Sequence, residues 1–193
     1  QWRAVQVELR GRVSASSINQ ILRSLEDARR QREINFISVL IDSPGGSPAD
    51  SMRLATQLAE LDASQVRTVA FVADQARADA ALPALACDHL VMMENGILGG
   101  PGDVNLSPEQ LDDLAEPVRR LAQDKGRDWS VMLGLLDNRL EVYRFVREGT
   151  GEVRYLSMEE LGDQVSDADR EVLQQKIEAM QEAAKGDDPE AIQ

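Results

Sequence analysis

"FISVLIDSPGG", residues 36 to 46, decides the fold. Its first seven residues are too few for a helix and rich in β-branched groups, so Phe36 to Asp42 are expected to form a strand buried on both faces. The Ser-Pro-Gly-Gly break then turns the chain into a helix. Ser47 is its expected cap, Pro48 its first position and Asp50 part of its first turn. Met52, Ala55, Leu58 and Leu61 continue down one face of that helix. Upstream, "AVQVEL" alternates Val5, Val7 and Leu9 with polar residues, the period of a strand with one buried face. Between these strands Ile18, Ile21, Leu22, Leu25 and Ala28 mark an amphipathic helix. It ends among Arg29, Arg30 and Arg32, where cations suit the negative end of the helix dipole. Downstream, "TVAFVA", residues 68 to 73, is a third strand, and "DHLVMM" a fourth, reached through a short helix. This alternation of helices with near-continuous apolar strands predicts right-handed βαβ units around a parallel sheet, and so the α/β class.

The remainder has a different character. "GILGGPGD", residues 96 to 103, reads as loop, and residues 107 to 137 as two helices separated near Gly126. "RLEVYRFVR", the turn "EGTG" and "EVRYLS" predict a β-hairpin with Tyr143 and Phe145 on one side and Val142 and Val146 on the other. An acidic helix is expected from Asp167 to Ala184. A hairpin that is apolar on both faces makes a poor monomer surface, so it is expected to pack on the main sheet or on a neighbouring subunit. The organisation is thus a core domain, residues 1 to 138, with a hairpin, acidic helix and polar tail, residues 139 to 193, appended to it.

Composition excludes several functions. The chain has 193 residues and a net charge of -13, which argues against nucleic acid, since phosphate binding needs clustered Lys and Arg. A single cysteine, Cys87, rules out an internal disulfide and a multi-thiolate metal site. The "GILGGPG" run lacks the Gly-Lys-Ser/Thr ending of a phosphate loop, and Asp112, Asp113 and Glu116 have no ligand spacing, so neither a cofactor nor a metal is expected. No apolar run approaches the ~20 residues that span a bilayer. The chain starts at Gln1 without an initiator Met or a signal peptide and is read as a segment of a longer protein.

The strand ending in "IDSPGG", the helix with "DSMRLA", and "VAFVADQARADAALPALACDHLVM" together resemble the ClpP/crotonase superfamily. Within it, the chain is most similar to the NfeD-type and signal-peptide-peptidase-A serine protease domains, over roughly residues 4 to 125. The resemblance implies a ClpP/crotonase-like parallel β-sheet spiral with flanking helices, and the C-terminal hairpin and helix fall outside it. It also implies that the turn from Asp42 to Gly46 presents backbone N–H groups to an oxyanion, with Gly45 and Gly46 allowing the close approach. A plain strand-to-helix turn is an equally open reading of the same residues.

The family's nucleophilic serine falls ten residues before an Asp that closes the helix. Counting back from Asp88 puts Ala78 there, followed by Asp79 and Ala80. A gap in the alignment would move the match to Ala80, which supplies no hydroxyl either, and no Ser occurs from Gln65 to Leu106. The family's general base is a lysine, and Glu109 stands where the NfeD-like lysine is expected. The first lysine of the chain is Lys125, which beside Gly126 and Arg127 reads as a solvated helix end. His89, the sole histidine, begins a strand too soon after Ala78 to serve as the base of a triad.

The favoured reading is therefore a non-catalytic pseudoprotease domain. It would bind protein or peptide segments or assemble as a homo-oligomer, on the extracytoplasmic side of a parent chain whose membrane anchor lies outside this segment. The alternatives are an active serine endopeptidase of the NfeD or signal-peptide-peptidase type and a crotonase-like acyl-CoA enzyme. The last is weakened by the lack of a basic cluster for nucleotide phosphates.

Overall fold

A computed structural model describes residues 2–30, 34–103, 105–147 and 149–163, together with 175, 177 and 178. The chain divides into two compact units, Gln1–Leu140 and Glu141–Gln193. In the first, β1 (Ala4–Arg10), α1 (Ala15–Arg30), β2 (Phe36–Ser43), α2 (Pro48–Ala59), β3 (Arg67–Ala76), a 3₁₀ turn (Ala78–Ala80), α3 (Ala81–Ala86) and β4 (His89–Met92) alternate as expected. They are followed by β5 (Ile97–Leu98), α4 (Pro108–Asp124) and α5 (Trp129–Gly134).

The sheet order is β1-β2-β3-β4 and every pair is parallel, with Val7 beside Val39, Val39 beside Ala70, and Ala70 beside Leu90. Each crossover moves the chain one strand further in the same direction. Right-handed connections then place α1, α2 and α3 on one face of the sheet. The core lies there: Val7, Leu9, Val39, Ile41 and Val72 pack with Ile18, Leu25, Leu54, Leu58 and Leu82.

This one-way order corrects the expectation for β2. Ile37, Val39 and Ile41 are fully buried, but Phe36, Ser38 and Leu40 on the opposite face are only half-buried, because no crossover helix covers that side. The glycine-rich segment is also not pure loop. β3 runs beyond the last residue that β4 pairs, Val72, and Ile97–Leu98 form β5 to pair Gln75 and Ala76. A short second strand thereby satisfies backbone groups that β4 leaves open. Ser47 does occupy the cap position of α2, but its hydroxyl donates to Asp50 Oδ2 (2.7 Å) instead of receiving a backbone N–H.

One ion pair ties the helical layer to the sheet, and it corrects the reading of Lys125. Lys125 Nζ donates to Asp88 Oδ1 at 3.0 Å, with the two side chains 9% and 11% exposed, so the lysine is not a solvated helix end. Asp88 Oδ2 accepts the Thr68 N–H, and Thr68 Oγ1 accepts the Asp88 N–H, each at 2.9 Å. Burial raises the Asp88 carboxyl, but the Thr68 N–H and the Lys125 ammonium outweigh it and hold the group below the ordinary aspartate value. Arg127 closes the corner by donating to the Leu85 and Cys87 carbonyls.

In the second unit β6 (Tyr143–Val146) and β7 (Val153–Leu156) form the expected antiparallel hairpin, with Tyr143 opposite Leu156. Tyr143 and Phe145 share a side and meet edge to face at 6.4 Å between ring centroids. A short α6 (Met158–Gly162) was not foreseen, although Ser157, whose Oγ accepts the Glu160 N–H, carries the signature of a helix start. The acidic helix expected from Asp167 to Ala184 falls almost wholly outside the described residues, and Arg32 lies outside them too.

The depressed Asp88 carboxyl makes the corner pH-dependent. Its stabilisation is complete above the unfolded aspartate value of about 3.9 and is lost as pH falls through the lower folded value. Lys125→Met leaves the buried Asp88 without its cation and is expected to cost about 3 kcal/mol at neutral pH. The same substitution should also flatten the fall in thermal midpoint between about pH 5 and pH 2. Melting curves of both proteins across that range check it.

Candidate functional site

The site forms where β2 and β3 end side by side. The register shifts between Ile41 and Ser43, so Ser43 pairs with Ala76, four residues beyond the Val72 that pairs Ile41. A bulge of this kind re-aims the strand end. Ser43, fully buried, donates its hydroxyl to the Gly11 carbonyl at 2.6 Å, and its own carbonyl accepts the Arg77 N–H at 3.0 Å.

The turn Pro44-Gly45-Gly46 and the residues after β3 press on each other. Gly45 has φ +88°, and a Cβ there would stand 2.7 Å from Asp79 Oδ1 and 3.0 Å from the Arg77 carbonyl oxygen, so only glycine fits. Ala78 has φ +44°, the one non-glycine residue in the left-handed region among those described. Strain of this type gathers at functional turns. It is held by the Ala78 N–H donating to Gly100 O (2.9 Å) and the Gly99 N–H donating to Ala76 O (2.8 Å). Gly102 closes over the same point, where any side chain would collide with the Pro44 carbonyl oxygen.

Sequence reading missed the dominant interaction. Asp79 is 1% exposed, and both of its carboxylate oxygens are taken: Oδ1 accepts the Gly46 N–H at 2.8 Å and Oδ2 accepts the Ser51 hydroxyl at 2.7 Å. A buried carboxylate needs such partners. A signal for it was present, since an Asp in place of a small residue beside a tight glycine turn must either be expelled or find donors nearby. Ser51, one turn into α2, was the donor to look for.

Beside Ala78 opens a cleft of about 360 Å³, lined among others by Gly100, Gly102, Asn105, Leu106, Leu111 and Leu135. Leu106, Leu111 and Leu135 give it apolar wall, and Asn105 and Asn138 add polar groups to the lining. Of the residues singled out from sequence, Ala78 lines the cleft; Gly45 packs against Ala78 and Gly46 bonds the neighbouring Asp79, but neither glycine lines it. Glu109 is exposed in the first turn of α4, which Ser107 and Gln110 cap reciprocally, and does not line the cleft. His89 is exposed at the start of β4, Lys125 is engaged with Asp88, and burial pushes the Cys87 thiol up to about 12, far from a reactive thiolate.

The fold has close counterparts. A serine-to-alanine mutant of a membrane-bound stomatin-specific protease aligns with a TM-score of 0.58 at 18% identity over 72% of each chain. A lysine-to-alanine mutant of such a protease, in complex with a substrate peptide, also scores 0.58 at 18% identity, over 72% of this chain and 68% of that one. A membrane protease specific for a stomatin homologue from Pyrococcus horikoshii scores 0.55 at 17% identity, over 72% and 66%. The chain therefore has the ClpP-like protease fold, and the resemblance carried by "IDSPGG" and the motifs after it stands at that level. Among curated sequences it is 27% identical over 112 residues to a Synechocystis protein named as a candidate protease, covering 58% of this chain and 39% of that protein. It is 30% identical over 122 residues to an uncharacterized Methanocaldococcus jannaschii protein, covering 63% and 40%. The chain thus spans about two fifths of the length of these relatives. No protein-family model matches it.

Removing Asp79 should expose how much the clamp contributes. Asp79→Ala strands the buried Ser51 hydroxyl and the Gly46 N–H and is expected to cost about 2 to 4 kcal/mol, whereas Ser51→Ala should cost about 1 to 2. In a double-mutant cycle by urea unfolding the two changes should couple, because they delete the same bond.

Proposed function

We propose that this chain is a non-catalytic domain of the protease fold, a pseudoprotease that binds protein or peptide segments as part of a larger membrane-associated protein. The observation that carries the reading is the Asp79 carboxylate on the Gly46 N–H, next to an Ala78 that has no hydroxyl. In an acyl-transfer site that N–H waits for the oxygen on which negative charge develops. Here a charge-assisted hydrogen bond already fills it, and a peptide carbonyl would have to displace an ion to enter.

The nearby hydroxyls do not offer a replacement nucleophile. Ser43 donates to Gly11 O, Ser47 to Asp50 and Ser51 to Asp79, so each is engaged, and Ser43 and Ser51 are fully buried. No lysine precedes Lys125, whose ammonium is bound to Asp88. An unactivated serine is a weak nucleophile in any case.

Binding without turnover suits the cleft. The stomatin-specific protease solved with a substrate peptide carries a lysine-to-alanine change, so a neighbour of this fold holds a peptide with a lysine removed. The apolar walls of Leu106, Leu111 and Leu135 and the open backbone at Gly100 and Gly102 would serve an extended segment here. An extracytoplasmic position belongs to the same proposal and is drawn from the family resemblance. No described helix is long and apolar enough to cross a membrane.

The test is covalent labelling. The purified chain is expected to give no peptidase turnover and no reaction with a fluorophosphonate probe. Ala78→Ser should remain unlabelled, because Asp79 still occupies the amide and no base is present. Probe attached to Ser43, Ser47 or Ser51 of the unaltered chain, mapped by peptide mass spectrometry, would overturn the proposal.

A further inference from the structure

The cleft beside Ala78 is small and carries no charge of its own. At about 360 Å³ it has room for a short stretch of chain and not for a folded partner. Among the described residues its polar side chains are Asn105 and Asn138. Both are exposed, and neither side chain makes a hydrogen bond to another described residue. An asparagine amide offers an acceptor oxygen and N–H donors, the complement of a peptide group's own N–H and C=O. Two such amides in one cleft suit an extended main chain, and Leu106, Leu111 and Leu135 suit an apolar side chain projecting from it.

The rim selects among such segments by charge. Within two positions of a lining residue stand six carboxylates and two guanidiniums. Asp79 is buried on Gly46 and Ser51, and Asp137 is buried against Arg139, which donates to it at 2.8 Å and reaches Asp112 at 3.3 Å. Arg77 is turned to the Gln75 side chain and the Pro101 carbonyl. Asp103, Glu109 and Asp113 are exposed and have no ion-pair partner among the described residues. From Gly100 to Asp113, the segment that supplies most of the lining, there are four carboxylates and no Lys or Arg. An anionic segment is repelled at this rim and a cationic one is drawn to it. A small cation would leave the leucines facing water, so the charge belongs on a chain that also brings an apolar side chain. We propose that the cleft takes an extended basic segment: an apolar side chain lies against Leu106, Leu111 and Leu135, Asn105 and Asn138 bond its main chain, and a flanking Lys or Arg meets the carboxylates of Asp103 and the start of α4. The proposal rests on the reading that this cleft binds peptide, and adds the class of segment.

The test uses the full chain and three capped, fluorescently labelled pentapeptides, Lys-Val-Leu-Val-Lys and its counterparts with Gln or Glu at both ends, followed by anisotropy. The Lys peptide should bind at least ~10-fold tighter than the Gln peptide and the Glu peptide more weakly still, with most of the difference lost between about 0.05 and 0.5 M salt. Asp103→Asn combined with Glu109→Gln should weaken the Lys peptide about 5-fold and leave the Gln peptide unchanged. The same charge change at Asp27→Asn with Glu60→Gln, in the last turn of α1 and just after α2 at the opposite end of the sheet, should alter neither, which separates the rim from the net charge of the chain. Asn105→Ala with Asn138→Ala should weaken the Lys and Gln peptides alike, with the thermal midpoint unchanged. Equal binding of all three peptides, or a loss as large from the Asp27 and Glu60 changes as from the rim, overturns this inference and leaves the peptide-binding reading standing. Binding of none of them overturns both.

Discussion

The hydrogen bond from the Gly46 amide to the Asp79 carboxylate organises the centre of this molecule. It joins the turn that follows β2 to the turn that follows β3, and through the Ser51 hydroxyl it fixes the first turns of α2 to both. The surrounding features make room for it. Gly45 carries no Cβ that would meet the carboxylate, the bulge after Ile41 brings Ser43 level with Ala76, and Ala78 accepts a left-handed backbone that sets the Asp79 carboxylate beneath the glycine turn. A carboxylate with almost no solvent contact is tolerable because each of its oxygens has a donor.

That arrangement separates two properties a catalytic turn normally holds together. Working sites keep an N–H donor unsatisfied until substrate arrives and carry backbone strain to aim the nucleophile, at a cost in stability. In this chain Ala78 has a left-handed backbone, while the Gly46 N–H is satisfied by Asp79. The fold resembles that of stomatin-specific proteases, and in this chain Gly45 permits the close approach.

Much of the fold was legible in the sequence because its signals are local. The period-2 pattern of Val5, Val7 and Leu9, the helical spacing of Ile18 to Ala28 and the apolar run of β2 each lie within one element, and their order implies parallel pairing. What escaped depends on the direction of winding or on residues distant in sequence. Burial of β2 on both faces was over-read because composition does not reveal whether successive crossovers reverse. Lys125 was over-read as solvated because its partner Asp88 lies 37 residues away, and the Asp79–Ser51 bond spans 28. At the site, the absence of a hydroxyl at Ala78 was plain from the sequence once the family resemblance had assigned that position. The reason the neighbouring Asp79 is tolerated was not, since it requires knowing that β2 and β3 end side by side.

The most direct measurement is a through-hydrogen-bond NMR coupling between the amide nitrogen of Gly46 and the side-chain carboxylate carbon of Asp79 in isotopically labelled protein. The account predicts a detectable coupling at neutral pH, together with slow exchange of the Gly46 amide proton with solvent. An absent coupling with a rapidly exchanging Gly46 amide would contradict it, because the turn would then be open to water and free to receive a substrate oxygen.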